Sequence, residues 1–366
     1  MTTPHASDAD PHMPRVGRGT LDELGSLVKH AVPRARHVML AVDANVRSPW
    51  GAAASRSLAA SGLQVHQHEI AASEPGKSMQ AVQSLWKAML AEGMQRADVL
   101  VAMGGGIVGD LAGFAAATYL RGIDWIAVPT TLLAMVDASI GGKTAVNVPL
   151  PAGGLGKNMV GAFHAPVRIV ADVRTLTTLP ARERSAGMAE CLKHGMLADP
   201  GLVDWIRAHV GSLAALDLPS LETLVCRSAA IKSAIVARDP LEKGERAHLN
   251  LGHTFAHAME SVLHDRLNHG EAVGLGLLAA VSASRAAGWW PQADPEPLRQ
   301  LLAQLGLPTR LPATVDRGAL LHAMGFDKKS EGGRLRLILL RGPGQPGVLA
   351  DPPEDVVAEG WQAIGG

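Results

Sequence analysis

The stretch VLVAMGGGIVGDLAGFAAATYLRGIDWIAV, residues 99–128, decides the fold. Val99–Met103 is a short apolar run stopped by glycine, the pattern of a strand buried on both faces. Gly104-Gly105-Gly106-Ile107-Val108-Gly109 then turns the chain, and an Ala-rich helix follows before the second strand-like run, Trp125–Val128. A strand, a glycine turn and a helix in this order make a βα unit. The turn fits G-x-G-x-x-G at Gly104, Gly106 and Gly109. Glycines let a backbone approach a pyrophosphate, and the helix N-terminus offers unpaired N–H groups with partial positive charge. The same pattern also serves as a tight corner with no ligand.

Upstream, the alternation continues. His37–Val42 reads as a strand, Trp50–Ser61 as a helix, Leu63–His68 as a strand and Ser78–Glu92 as a helix. Strands spaced by helices predict a parallel, Rossmann-like sheet. No acidic residue closes a strand about 20 residues after the turn, where a ribose ligand is ordinarily found. Asp43 instead closes an earlier strand and is placed to hold a ribose hydroxyl.

Downstream of about Thr175 the chain becomes Ala- and Leu-rich with helical periodicity. Arg182–Leu197, Leu221–Ala237, His253–Leu263 and Glu271–Ala287 read as helices, and Arg334–Leu340 as a late strand or extension. The expected class is α/β followed by α, with a flexible tail over residues 1–18, an α/β domain over 19–176 and a helical domain over 177–366.

The chain has 366 residues, with 34 Lys+Arg against 34 Asp+Glu. A balanced charge gives no electrostatic reason to expect nucleic acid or an anionic membrane as partner. Two cysteines, Cys191 and Cys226, with no CxxC, exclude a disulfide scaffold and a cysteine-rich zinc site. The polar first residues lack the apolar core of a signal peptide, and no uncharged apolar run reaches about 18 residues. The expectation is a cytoplasmic protein.

The helical half carries the chemistry-bearing pattern. His253 and His257 stand at i and i+4 on one helix face, His269 opens the next helix, and Glu190 and Lys193 stand three apart. A catalytic zinc needs about three nitrogen or oxygen ligands and one open position. Spacing pairs His253 with His257, and Glu190 and His269 are the further candidates. A histidine taken singly is more often a hydrogen-bonded core residue. No HExxH is present. Polar residues also interrupt apolar surroundings at Lys143, Lys157, Asn158, Lys232, Arg246, Asn250, Lys328 and Lys329. Cations beside a metal suit a small phosphate- or carboxylate-bearing substrate.

The stretch from Gly104 to Asn147, with LPARERSAGMAECLKHG (179–195), LNLGHTFAHAME (249–260) and HGEAVGLG (269–276), resembles the 3-dehydroquinate synthase family, from about Val42 to Leu340. The resemblance implies a zinc- and NAD-dependent lyase of the shikimate pathway, with cobalt as a possible substitute metal. Its reaction converts 3-deoxy-arabino-heptulosonate 7-phosphate to 3-dehydroquinate. It makes the first domain NAD-binding and the second zinc- and substrate-binding. It implies zinc ligands at Glu190, His253 and His269, which moves His257 into the substrate site. It implies NAD contacts at Asp43, Asn45, Glu74, Lys77, Gly105, Gly106, Asp110, Thr130, Thr131, Lys143, Lys157 and Thr178. Substrate contacts fall at Asp137, Lys143, Asn158, Lys193, Lys232, Arg246, Asn250 and His257, with Lys328 or Lys329. Arg121 matches an arginine that reaches the neighbouring subunit's site, which implies a homodimer.

Three departures stand out. Ala138 replaces the first of two serines, Pro240 replaces an acid in the Asp239–Glu242 block, and about five extra residues lie between Asn147 and Lys157. The alternatives are another sugar-phosphate cyclase, or a metal-dependent polyol dehydrogenase. Asn250 and His257 fit the dehydroquinate type among the cyclases.

Overall fold

The computed structural model describes residues 13–151, 154–263, 266–312, 315–330 and 335–365, except the side chains of 326–330. The chain divides into two units, Met1–Leu179 with Leu221–Ala237, and Pro180–Ser220 with Arg238–Gly366.

The first unit holds β1 (Arg15–Gly17), α1 (Leu24–Ala31), β2 (His37–Asp43), α2 (Ala52–Ala60), β3 (Gln64–Ile70), α3 (Met79–Ala91), β4 (Val99–Gly104), α4 (Gly106–Thr118), β5 (Asp124–Pro129), β6 (Lys143–Pro149), β7 (Leu155–Phe163) and β8 (Arg168–Asp172). Six strands form one parallel sheet in the order β1-β8-β5-β4-β2-β3. Every residue of β4 is buried. The reason is that both faces are covered, by a cluster with Leu85, Met89 and Leu111 on one side and by Leu24, Val28 and Leu58 on the other. The chain leaves β2 toward β3 but leaves β4 toward β5, so the order reverses between β2 and β4. In open α/β sheets a ligand binds outside the carboxyl ends of the strands at such a reversal. Gly104 and Asp43 end these two strands.

Four strands of this unit, β1, β6, β7 and β8, are absent from the sequence reading. Arg15–Gly17 belongs to the predicted tail, yet it pairs with Val170–Asp172 of β8. The buried Asp172 carboxylate then accepts the Leu21 N–H at 3.1 Å, which ties the start of the chain to the sheet edge. β8 itself is short and escaped notice. β6 and β7 form an antiparallel ribbon with a bulge between Val146 and Val148. Near its tip Leu150 N–H bonds the Gly154 carbonyl at 3.1 Å.

The second unit holds α5 (Ala181–Ala198), α6 (Pro200–Ala208), α7 (Val210–Ala214), α9 (His253–Leu263), α10 (His269–Ala286), α11 (Glu296–Gln304), α12 (Arg317–Ser330), the antiparallel pair β9 (Arg336–Leu340) and β10 (Pro346–Ala350), and α13 (Glu354–Ala363). Helix α8 (Leu218–Arg238) counts with the first unit over Leu221–Ala237. Helix α10 is buried continuously from Gly270 to Ser284. Glycine makes this possible: a Cβ on Gly270 would lie 2.2 Å from the Ala186 carbonyl of α5, and one on Gly276 would lie 2.2 Å from the Gly252 carbonyl just before α9. Asn268 and Glu271 form a capping box at the start of α10. Arg182 of α5 grips the Glu271 carboxylate through two bonds of 2.7 and 2.6 Å. These contacts fix the first turns of α5 and α10 against each other. No helix among the described residues is long and apolar enough to cross a membrane.

Candidate active site

In the first unit a recess at the carboxyl edge is lined by Gly104, Gly105, Gly106, Asp110, Ser139 and Lys143. Bare backbone is enforced at the turn. A Cβ on Gly104 would meet Val108 at 2.7 Å, and one on Gly106 would meet Ala138 at 3.1 Å. The close helix–strand approach that the third glycine of the motif usually serves falls instead at Gly113, whose Cβ would meet Thr144 at 2.5 Å and Trp125 at 2.9 Å. Thr130 N–H bonds the Gly104 carbonyl at 2.9 Å, and Thr131 Oγ1 accepts from Ala134 N–H at 3.1 Å. Asp43, beside Gly104 on the neighbouring strand, accepts from the backbone and side-chain N–H groups of Asn45 at 2.9 and 3.0 Å.

A buried charge network flanks the turn. Lys77 is 3% exposed, and its Nζ lies 2.5 Å from Asp110 Oδ2 and also donates to Asn158 Oδ1. Burial pushes the Asp110 carboxyl above its ordinary range, against the pull of Lys77. Asn147 clasps the Lys77 loop from the ribbon, donating to the Glu74 carbonyl at 2.9 Å and its carboxylate at 2.8 Å. Asn147 Oδ1 also accepts the Asn158 N–H at 2.8 Å, with Asn158 at φ +56°. The insertion thus leaves Asn158 anchored to Lys77 and Asn147, while Lys157 points to solvent. Lys143 is exposed and opens β6 after Gly141 and Gly142, both at positive φ. Lys232 of α8 donates to the Asp137 carbonyl at 2.6 Å, with the Asp137 carboxylate 2.7 Å away. Thr178 and Arg121 are exposed, Arg121 at φ +68°.

In the second unit Glu190, His253 and His269 bring one ligand atom each within 4.8 Å of one another. His253 Nε2 lies 3.6 Å and His269 Nε2 3.4 Å from Glu190 Oε1. The rear of each ring meets an oxygen. His253 Nδ1 is 3.2 Å from the Leu251 carbonyl, and His269 Nδ1 is 3.4 Å from the Glu260 carboxylate. A carbonyl can only accept, so Nδ1 of His253 carries the proton and Nε2 presents its lone pair. Oxygen behind an imidazole in this way orients metal-binding histidines. Burial, with Lys193 close by, pushes His253 down to about 3, so its ring is neutral. Burial opposes charge on His269 too, but bonds to Glu190 and Glu260 outweigh it and raise it to about 10, so a metal ion would take the place of its Nε2 proton. Two imidazoles and a carboxylate facing one point are the donor set of a catalytic zinc with an open position, and the residues fit such an ion. His257 is not one of this trio, though its ring meets that of His253 edge-on with centroids 5.6 Å apart. It is exposed and lines a groove with Ser261 and His322.

Lys193, 1% exposed, pairs with Glu190 one turn away on α5. Arg246 is 2% exposed and donates to the Pro240 carbonyl at 2.8 Å, so the departure at 240 supplies an acceptor through its backbone. Asn250 is half-buried at the end of the same short segment, Glu245–Asn250. The side chains of Lys328 and Lys329 lie outside the described residues. Sequence reasoning missed Glu260, the Leu251 carbonyl and the Arg182–Glu271 bridge. Only Glu271 had a signal, as the third residue of a capping box.

The comparisons with known proteins bear on this geometry. Residues 67–186 match the description "3-dehydroquinate synthase N-terminal" and residues 187–330 match "3-dehydroquinate synthase C-terminal". The 3-dehydroquinate synthase of Xanthomonas axonopodis pv. citri is 45% identical over 359 residues, covering 96% of this chain and 95% of its own. The chain belongs to the 3-dehydroquinate synthase family. Its fold is also that of the solved 2-epi-5-epi-valiolone synthase from Streptomyces hygroscopicus subsp. jinggangensis with NAD+ and Zn2+ bound. That structure has a TM-score of 0.85 and 26% identity, covering 100% of this chain and 98% of that one. A 2-deoxy-scyllo-inosose synthase complexed with carbaglucose-6-phosphate, NAD+ and Co2+ is similar at a TM-score of 0.79 and 25% identity, over 95% and 96% of the two chains. Within the family, the charge network at Lys77 gives a test of the dinucleotide site. Asp110→Ala leaves a buried ammonium without its anion. We expect NAD to bind at least about tenfold more weakly, a loss of about 1.4 kcal/mol, with zinc content unchanged. Calorimetric titration with NAD and metal analysis of the same sample check this.

Proposed function

We propose that this chain is a 3-dehydroquinate synthase, a carbon–oxygen lyase that converts 3-deoxy-arabino-heptulosonate 7-phosphate to 3-dehydroquinate and phosphate. The observation that carries the reading is the convergence of Glu190, His253 and His269 in a family member whose first unit ends β4 in a dinucleotide turn. When bound, NAD supplies a reversible hydride acceptor and zinc a Lewis acid for the substrate oxygen being oxidised. Because NAD would serve as a reversible acceptor, no net redox change would accompany loss of phosphate.

The chain's own residues supply the rest. Glu190, His253 and His269 hold the metal, and Lys193 neutralises the second oxygen of Glu190. The Gly104–Gly106 turn and the N-terminus of α4 receive the pyrophosphate, and Asp43 binds ribose hydroxyls while repelling a 2′-phosphate, which favours NAD over NADP. Asn45, Glu74, Lys77, Asp110, Thr130, Thr131, Lys157 and Thr178 complete the cofactor side. The family resemblance assigns Lys143, Asn158, Asn250 and His257 to the phosphate, which itself carries off the departing proton, and Lys328 or Lys329 to the substrate. Arg246 and Lys232 receive the carboxylate, Lys232 being oriented by Asp137. We further propose a cytoplasmic homodimer in which Arg121 serves the neighbouring subunit's site.

Substrate choice tests this assignment against the other cyclases. The purified protein is expected to release phosphate from the heptulosonate phosphate and to leave glucose 6-phosphate and sedoheptulose 7-phosphate unchanged. Faster turnover of either neutral-headed sugar phosphate would keep the cyclase scaffold and remove the dehydroquinate assignment.

A further inference from the structure

The hydroxyl of Thr178 is already committed within the protein. It donates to the Thr175 carbonyl at 3.1 Å and accepts from Trp50 Nε1–H at 2.8 Å. A threonine hydroxyl has one proton and two lone pairs. Its proton is used and one lone pair is taken, so an incoming group finds only an acceptor. Trp50 holds that state in place. Its ring packs against the apolar cluster that contains Val42 and Leu58, and its polar N–H reaches outward to the hydroxyl.

The position of this pair gives it a ligand. Trp50 lies on the connection that follows β2, and Thr178 ends the segment that follows β8. In the sheet, β5 and β4 lie between those strands. Three strand spacings, about 14 Å, separate β2 from β8, so the bond joins two carboxyl-edge segments across the positions of β4 and its glycine turn. A dinucleotide with its pyrophosphate on that turn and its ribose at Asp43 would have its base within reach of the connection after β2, where Trp50 stands seven residues beyond Asp43.

We propose that Trp50 is a positioning residue that fixes Thr178 as an acceptor for the exocyclic amine of adenine, so that the site selects adenine over a base with a carbonyl at that place. This rests on the NAD reading above. A carbonyl there sets two acceptors against each other, and its loss of binding is about 10- to 100-fold.

The test compares NAD with its hypoxanthine analogue, in which a carbonyl replaces the amine, by calorimetric titration of the full-length protein. Wild type is expected to favour NAD by about 10- to 100-fold. Thr178→Ala should erase most of that preference and Thr178→Ser should keep it. Trp50→Phe should narrow it by strengthening the hypoxanthine analogue, because the released hydroxyl can turn and donate. A merely structural Trp50 would weaken both dinucleotides together when replaced, and that result would overturn the proposal. So would an unchanged preference in Trp50→Phe, or wild type that binds both equally. Wild type that binds neither would overturn the NAD reading along with it.

Discussion

His269→Ala is expected to lose the metal and the activity together while the fold survives. His269 supplies one of three ligand atoms held within 4.8 Å. It stands at the first position of α10, and the capping box of Asn268 and Glu271 and the Arg182 bridge hold that turn without it. Two remaining ligands bind zinc far more weakly than three. Lewis-acid stabilisation of the developing charge is worth several kcal/mol, and each 1.36 kcal/mol is a factor of ten in rate. Turnover should therefore fall by about a thousandfold or more, with metal content well below one per chain and an unchanged far-ultraviolet circular dichroism spectrum. His257→Ala should keep its zinc. Full occupancy in His269→Ala together with metal loss in His257→Ala would restore the pairing that spacing alone suggests.

Arg246→Ala should cripple turnover of the heptulosonate phosphate and leave zinc and NAD binding nearly untouched. On sequence grounds Arg246 could equally be a surface residue with a weak contact to Glu242. The structure buries it to 2% exposure and gives its guanidinium a backbone carbonyl, with its own N–H bonded to Asp239 at 3.0 Å. A carboxylate is recognised best by an arginine, through two parallel bonds. Removing one partner of a buried ion pair costs about 3–5 kcal/mol, or about two to four decades in kcat/KM. A surface contact is worth a few tenths of a kcal/mol, so steady-state kinetics of one variant separates the two. Near-normal kcat/KM in Arg246→Ala would place the substrate carboxylate elsewhere.

Legibility followed the strength of local signals. β4 and its glycine turn stood out because a doubly covered strand is a continuous apolar run and the turn demands glycine. His253–Leu263 was read to the residue because its apolar face recurs with helical period. β7 was missed for the opposite reason: nearly all of it is exposed, with no alternation to betray a strand. β1 is three residues long and exists only because β8 offers it an edge. At the site, i and i+4 spacing correctly put His253 and His257 on one helix, yet it reports nothing about a third helix. The approach of Glu190 from α5 and His269 from α10 depends on Gly270 and Gly276, whose small size brings the backbones together. The family resemblance supplied the ligand set that spacing did not.

The most direct test of the account follows phosphate and NADH in one reaction of purified protein with NAD and the heptulosonate phosphate. One phosphate is expected per 3-dehydroquinate formed, with no NADH accumulating in bulk, loss of both products on chelation, and recovery on adding zinc. Stoichiometric NADH release without phosphate would identify a polyol dehydrogenase, and undiminished phosphate release after the chelator strips the zinc would contradict the role given to Glu190, His253 and His269.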